Sequence, residues 1–404
     1  MTTGPSPSGD GPVVISPATS SVGRAVAALA LGGFAIGVTE FVAMGLLPEI
    51  SAGTGVDIPT AGHYISAYAA GVVVGAPAFA IAFAKAPRKG LLMGLMALFA
   101  VANTASFFAV TYPALMVTRF VSGLPHGAYF GIAMLLAASL VEERRRTWAV
   151  AMILAGLGIA NVVGVPLGTW VGQHLGWGLP FVGVGALATL TVLAVARWVP
   201  KQASVAGASP LDELRALRHV QVWLALLIGI VGFGGMFATY AYISPTMTTI
   251  AGFPSSLIPA VLTVYGLGMV AGMALAGPAG ERLGVLRGII VLQALLIVMF
   301  LAFAPALRVT VLAWVFPFIL GVVPSVLVPL LQTRLMDVAH EGQALAATLN
   351  HATLNLANGL GAWLGSLVLA AGLGYEWPSR VGAILAVLGL LLALLSHRLE
   401  RPVR

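Results

Sequence analysis

The sequence predicts an all-α membrane protein of twelve transmembrane helices, and three observations carry that expectation. Of 404 residues, 59% are hydrophobic and only 8% are charged, whereas an ordinary soluble domain carries about 25% charged residues. The apolar residues come in runs long enough to cross a bilayer, broken by charges and by clusters of Pro and Gly. The basic residues gather in alternate short connections between those runs, as they do in proteins whose loops are oriented by charge.

The first run sets the scale. From Arg24 to Pro48 the chain has 25 residues, about 37 Å of helix at roughly 1.5 Å per residue, against a hydrocarbon core of about 30 Å. Eleven more follow, giving expected spans at 24–48, 62–84, 89–110, 113–140, 147–172, 177–199, 220–245, 257–280, 287–304, 308–331, 343–372 and 377–398. Residues 1–22 are rich in Ser, Pro, Gly and Thr, with neither a basic start nor a separate apolar core. They read as a disordered tail and not as a cleaved signal. Residues 200–219 form a polar linker, expected to end in a short amphipathic surface helix with Asp212 and Glu213 near its start. The linker divides the chain into a first half at 23–199 and a second at 220–398, with 399–404 as a tail.

Twelve spans put both termini on one side. Of the 20 Lys and Arg residues, 17 fall in connections on that side, Arg334 among them; the other side has Arg308 and Arg380, and Arg119 lies within a span. The excess places both termini in the cytoplasm of a protein of the inner (plasma) membrane, with the lipid bilayer as its first partner. It also accounts for the formal charge of +7 without nucleic acid. With no cysteine at all, disulfides and thiol catalysis are excluded. The sequence has no phosphate-binding Gly-x-x-x-x-Gly-Lys-Ser/Thr loop, which disfavours ATP-driven pumping. It shows no His or carboxylate cluster at metal spacing, no carboxylate dyad and no nucleophile with a base, so neither metal, cofactor nor enzyme is expected.

The halves echo each other. Gly75 to Lys89, between spans two and three, lies where Gly272 to Leu286 lies between spans eight and nine, and one offset of 197 residues matches Gly75 with Gly272 and Lys85 with Arg282. Parallel six-helix repeats are one way in which transporters are built.

Four segments add a resemblance. Gly277-Pro-Ala-Gly280-Glu281-Arg282-Leu-Gly284 resembles the Gly-x-x-x-Asp-Arg-x-Gly signature of the major facilitator superfamily, with Glu281 for Asp. The first-half copy keeps Lys85 and Arg88 but lacks the acid. Arg119-Phe-Val-Ser-Gly123 is similar to the Arg-x-x-x-Gly motif of drug:proton antiporters. The run with Gly156, Gly158, Asn161, Gly164, Pro166 and Gly168 looks like the antiporter motif of span five. Together with Gly37-Val-Thr39-Glu40-Phe41 in span one, these resemble the arabinose-efflux-permease and chloramphenicol-resistance branch. The resemblance implies two pseudo-symmetric halves around a central cavity, and export of a small molecule, such as a drug, sugar or nucleoside, in exchange for protons by a monomer. It also implies a hinge at the span-five motif, where the residues alone equally fit a packing seam.

Candidate site residues follow from cost. Glu40 and Arg119 are the only charges well inside any expected span, and an ionisable group there costs roughly 2.5 kcal/mol or more, so each should be paired or should line an ion pathway. They lie at similar depth, so an interaction between them, direct or through water, would lower both costs. Glu40 is then a proton site tuned by Arg119, or one partner of a fixed brace in an uncoupled facilitator or a membrane sensor. His126, two helical turns beyond Arg119, shares its face and is either a relay, a substrate contact or a packing residue. Thr39 and Phe41 flank Glu40. Tyr240 in span seven and Asn350, His351 and Asn355 in span eleven supply neutral hydrogen-bonding groups for a polar, uncharged ligand, as do Thr239, Tyr242 and Asn358. Asn residues also glue membrane helices. Phe34, Phe41, Tyr68 and Phe130 could line an aromatic wall.

Overall fold

The computed structural model describes residues 19–83, 86–200, 218–339 and 343–400. Lys85, most of the linker and the outermost tails lie outside them. Among the described residues twelve long helices follow in order: α1 Thr19–Gly45, α2 His63–Ala82, α3 Arg88–Phe108, α4 Tyr112–Ser139, α5 Arg146–Leu175, α6 Leu179–Trp198, α7 Val220–Tyr240, α8 Ile258–Leu283, α9 Val285–Ala306, α10 Thr310–Ala339, α11 Gln343–Ala370 and α12 Trp377–Leu399. No strand occurs among the described residues. Eleven of the helices are long and apolar enough to cross a membrane; α2, with 20 residues, has no Asp, Glu, Lys or Arg. Val101, Phe108, Leu190, Leu193 and Leu391 lie exposed on the outside of the bundle, the surface a bilayer would cover.

Breaks in the helices fall where the backbone chemistry requires them. α1 and α7 both stop short of their expected ends, and short helices, Leu47–Thr54 and Ile243–Thr249, continue beyond them on the side away from the termini, here called distal. α5 is interrupted at Ala160–Gly164 by a π turn, in which the Val165 N–H donates to the Ala160 carbonyl five residues back. Pro166 follows at once and has no N–H to contribute to an ordinary turn, so the Gly- and Pro-rich motif contains a π-bulge, a feature common at functional sites. The largest departure from the expected spans is α10, which runs to Ala339 instead of ending near 331. Arg334 lies inside it and is 7% exposed. Its guanidinium donates from Nη1 to Glu400 at 2.7 Å and from Nη2 to Gln221 at 3.1 Å and Ser396 at 3.2 Å, while Nε is buried without a partner, so a charge read as a loop marker is instead a helix residue held through both Nη atoms.

Glu281 and Arg282 likewise belong to the last turn of α8, and Gly284 alone turns the chain into α9 with φ 75° and ψ 155°. Only glycine adopts that region without strain of about 1–3 kcal/mol, and nothing else crowds the position. Gly284→Ala should therefore lower thermal stability in detergent by about that amount; an unchanged midpoint would mean that the turn relaxes.

The halves are built alike at the level of contacts. In the first, a Cβ at Gly71 would strike the Phe120 carbonyl and one at Gly123 the Tyr68 carbonyl. In the second, Gly268 faces the Phe318 carbonyl and Gly321 the Tyr265 carbonyl in the same way. These seams close α2 on α4 and α8 on α10 to backbone distance, the use membranes make of small residues. Across the halves α5 packs on α8 and α2 on α11. Ser66 Oγ donates to the Gly359 carbonyl at 3.0 Å, and Gln173 Nε2 to the Ser255 carbonyl at 3.0 Å. Both bonds lie towards the distal end, where the halves meet.

Candidate functional site

Thr39 and Glu40 are adjacent on α1, so helical geometry turns their side chains about 100° apart, and the structure gives each its own partners. Arg119, 1% exposed, reaches from α4 to α1 and forks onto Thr39, with Nη1 donating to Oγ1 and Nη2 to the carbonyl, both at 3.1 Å. The Thr39 hydroxyl donates in turn to Asn103 Oδ1 on α3, and Asn103 Nδ2 donates back to the Phe99 carbonyl at 2.9 Å. The guanidinium lies over the Tyr68 ring of α2 at 4.5 Å and the Phe181 ring of α6 at 5.3 Å, contacts that suit a desolvated cation.

Glu40, 7% exposed, faces the other half, where Asn358 Nδ2 of α11 donates to its Oε1 at 3.3 Å. The direct Glu40–Arg119 ion pair considered from sequence is not formed: no such pair within 4.0 Å occurs among the described residues, and Thr39 holds the guanidinium instead. What remains between the two charges is an electrostatic interaction without a hydrogen bond.

Tyr68, expected from sequence only as a candidate for an aromatic wall, joins the two candidates on α4. Its ring carries Arg119, and its hydroxyl meets His126 Nδ1 at 3.0 Å. His126 is buried and packs on Phe130 at 5.4 Å. Phe130 stacks in turn on His351 of α11, at 5.9 Å and 6° between ring planes. His126 and His351 thus approach each other from opposite halves.

On the second-half side, Phe41 contacts Phe237 at 6.3 Å and Tyr240 at 5.8 Å, and Tyr240 stacks on Tyr265 of α8 at 4.0 Å. The Tyr240 hydroxyl and Asn355 Oδ1 are buried without a partner, while Asn355 Nδ2 bonds its own helix at the His351 carbonyl. Asn350 is buried nearby on the same helix. Thr239 and Tyr242 are committed to structure: the Thr239 hydroxyl donates to the Gly235 carbonyl at 3.0 Å and the Tyr242 hydroxyl to the Ala362 carbonyl at 2.8 Å.

The glycines of α5 form a seam against α1. A Cβ at Gly156 would strike the Ala30 carbonyl, whereas one at Gly164 or Gly168 would meet side chains, Val38 and Phe34 or Val42. Asn161, inside the π turn, donates to the Leu157 carbonyl at 3.0 Å and leaves Oδ1 unpartnered; its backbone lies against Gly266 of α8, in the other half. Beside Arg88 at the start of α3, Lys89 donates to the Ala196 and Val199 carbonyls at 2.7 Å and 2.6 Å, closing the end of α6.

One feature of α11 escaped the sequence reading although its signal was present. The offset of 197 that pairs Gly75 with Gly272 also pairs Asn161, Gly164 and Gly168 with Asn358, Gly361 and Gly365. Gly361 and Gly365 pack on α7, against the Gly234 carbonyl and Tyr242, as their counterparts pack on α1. The charges do not repeat: the same offset sets Phe237 opposite Glu40, and the offset of 198 that relates Gly123 to Gly321 sets Pro317 opposite Arg119.

Comparison with known proteins agrees with this architecture. The family model of the Major Facilitator Superfamily matches residues 29–350 and 243–404. The chain is 39% identical to the inner membrane transport protein YdhP of Escherichia coli (strain K12) over 92% of its own length and 95% of the relative's. It is 31% identical to a chloramphenicol resistance protein of Streptomyces lividans over 90% and 94%. Among solved structures, the nucleoside transporter NupG superposes with a TM-score of 0.73 at 13% identity, covering 94% of this chain and 100% of that one. A D-xylose-proton symporter superposes with 0.68 at 15% identity, covering 93% and 97%. The twelve helices, the repeated glycine seams and the family match make this a multi-pass inner-membrane transport protein, not an enzyme, and the chain belongs to the major facilitator superfamily.

Proposed function

We propose that the protein exports a small organic molecule in exchange for protons, as a monomer, with Glu40 carrying the proton and the two halves rocking around it. The observation that carries this reading is the position of Glu40: a carboxylate buried at the junction of the halves, hydrogen-bonded to the opposite half and held in the field of a cation that has other partners. A fixed brace would put Arg119 on Glu40; its fork onto Thr39 instead leaves the carboxylate free to exchange a proton. The outward direction is supported by relatives whose names state chloramphenicol resistance and sugar efflux. The neutral groups of α7 and α11, with unpartnered buried atoms on Tyr240 and Asn355, suit an uncharged polar ligand with an apolar face.

The test is flux into proteoliposomes across an imposed pH gradient, with chloramphenicol, arabinose and a nucleoside as probes. Accumulation that occurs when the lumen is the more acidic side, and collapses when a protonophore dissipates the gradient, supports antiport. Equilibration of a probe without response to the gradient would make the protein an uncoupled facilitator.

The same reading sets both termini in the cytoplasm. The chain has no cysteine of its own, so Glu143→Cys and Ser256→Cys, both at exposed positions, should be labelled by an impermeant maleimide from inside and outside the cell respectively. The reverse pattern would invert the topology.

A further inference from the structure

We infer that Asn358 is the positioning residue through which the second half reads the protonation state of Glu40. The inference rests on the proton-site reading above and adds to it the element that ties proton binding to the movement of the halves.

The geometry is specific. Asn358 is fully buried, and its Nδ2 makes the cross-half bond to Glu40 Oε1. Its Oδ1 has no partner, so nothing else fixes the amide. Its helix is held firmly on either side: Gly361 lies at backbone distance from Gly234 of α7, and Gly359 accepts from Ser66 of α2. The amide therefore moves with α11 as a body. Asn161, the counterpart of Asn358 in α5, spends its N–H on its own helix at Leu157 and bonds no carboxylate among the described residues. The two halves thus carry the same Asn-x-x-Gly seam, and among the described residues the α11 copy alone hydrogen-bonds an ionisable side chain.

An amide can serve both states of a carboxyl group. To the ionised form it donates N–H in a charge-assisted bond; to the protonated form its oxygen accepts O–H, a neutral bond of roughly half the strength. Proton binding at Glu40 therefore loosens the contact that holds α11 to α1. By reciprocity, loss of this bond on its own makes Glu40 a better proton acceptor, because the N–H competitor is gone. The other titratable or charged groups that act on Glu40 are Arg119 from α4, Tyr68 from α2 and Tyr265 from α8. The tyrosines stay neutral and the guanidinium charged through the working range, which leaves the Glu40–Asn358 pair as the part that responds.

The experiment needs no substrate. Purified protein in lipid is titrated while its protonated-carboxyl infrared band is followed, Glu40 being assigned as the component lost in Glu40→Gln. In parallel, spin labels on Ala52→Cys and Ser256→Cys report the distance between the distal ends of the halves. In the wild type the band and the distance should change with one midpoint. Asn358→Leu, or Asn358→Ala where the larger residue prevents insertion, should move the band midpoint to higher pH by about one unit, the size of one hydrogen bond to a charged group. The same variant should also flatten the pH dependence of the distance. Asn358→Ser keeps a donor and an acceptor and should restore both responses, and Asn161→Leu should leave the band midpoint in place. If Asn358→Leu leaves the midpoint and the distance response unchanged, Asn358 is a packing residue and the inference falls while Glu40 stands. If no titrating component is lost in Glu40→Gln, Glu40 is not the proton site and both fall.

Discussion

Glu40→Gln should reduce gradient-driven accumulation in proteoliposomes to background while exchange at equal pH on both sides continues. The substitution keeps the size of the side chain and an oxygen that can accept from Asn358, but it removes the one group that can take and release a proton at this place. Stability separates the coupling role from the brace. Removing one partner of a buried ion pair costs about 3–5 kcal/mol, because the other charge is stranded. Here Arg119 keeps its two bonds to Thr39 and its two aromatic faces, so Glu40→Gln should cost only about 1 kcal/mol. A normal thermal midpoint with abolished coupling is the expected pair of results. Retained coupling would send the proton site to His126 or His351, and a collapse of stability would restore the brace. Arg119→Lys extends the argument: the charge stays, but an ammonium cannot span the Thr39 hydroxyl and carbonyl as a planar fork does. Thr39 and Asn103 should then loosen, and the pH optimum of transport should shift.

Most of the fold was legible because a bilayer leaves few choices. Every backbone polar group must be satisfied within the span, so apolar runs become helices and their lengths follow from the thickness. The misses have physical causes of one kind. Charges were read as ends of spans, yet Arg334 and Arg282 sit inside helices, the first held through its Nη atoms by Gln221, Ser396 and Glu400, the second in a final turn closed by Gly284. Composition and hydropathy see a charge but not the partner that permits it.

The candidate site was legible in its membership and not in its wiring. Glu40, Arg119, Thr39 and His126 do lie together, since their depths and faces follow from helical geometry. Which of them bond each other depends on rotations of a few tens of degrees between packed helices, and these are set by the glycine contacts at Gly71, Gly123 and Gly156 rather than by anything local to the charges. Asn103 and Tyr68 were missed as connectors for that reason. Asn358 was visible as a polar residue, but its pairing across 318 positions of sequence appears only once α11 is docked.

The span-five seam should respond in grades that its contacts dictate. A Cβ at Gly156 would meet the Ala30 carbonyl and, at 2.9 Å, the Phe34 backbone nitrogen; backbone cannot rotate away, so α5 and α1 must separate. Gly156→Val should therefore cost about 3 kcal/mol or more, at or above the upper end of ordinary overpacking, and the protein should be recovered poorly from membranes. A Cβ at Gly164 meets Val38 and Phe34 side chains, which can change rotamer. Gly164→Val should therefore insert, at a cost of about 1–3 kcal/mol, with transport slowed because the two helices no longer approach as closely. Gly158 has only Val270 within reach, at 3.8 Å, so Gly158→Ala should be close to silent in both assays. Thermal stability in detergent and initial transport rate, measured on the three variants together, check the order. If Gly156→Val and Gly158→Ala behave alike, close contact between α5 and α1 is not what the glycines are for. If Gly164→Val is stable and fully active, the seam and the end of the π turn to which Gly164 belongs pack the bundle without taking part in its movement.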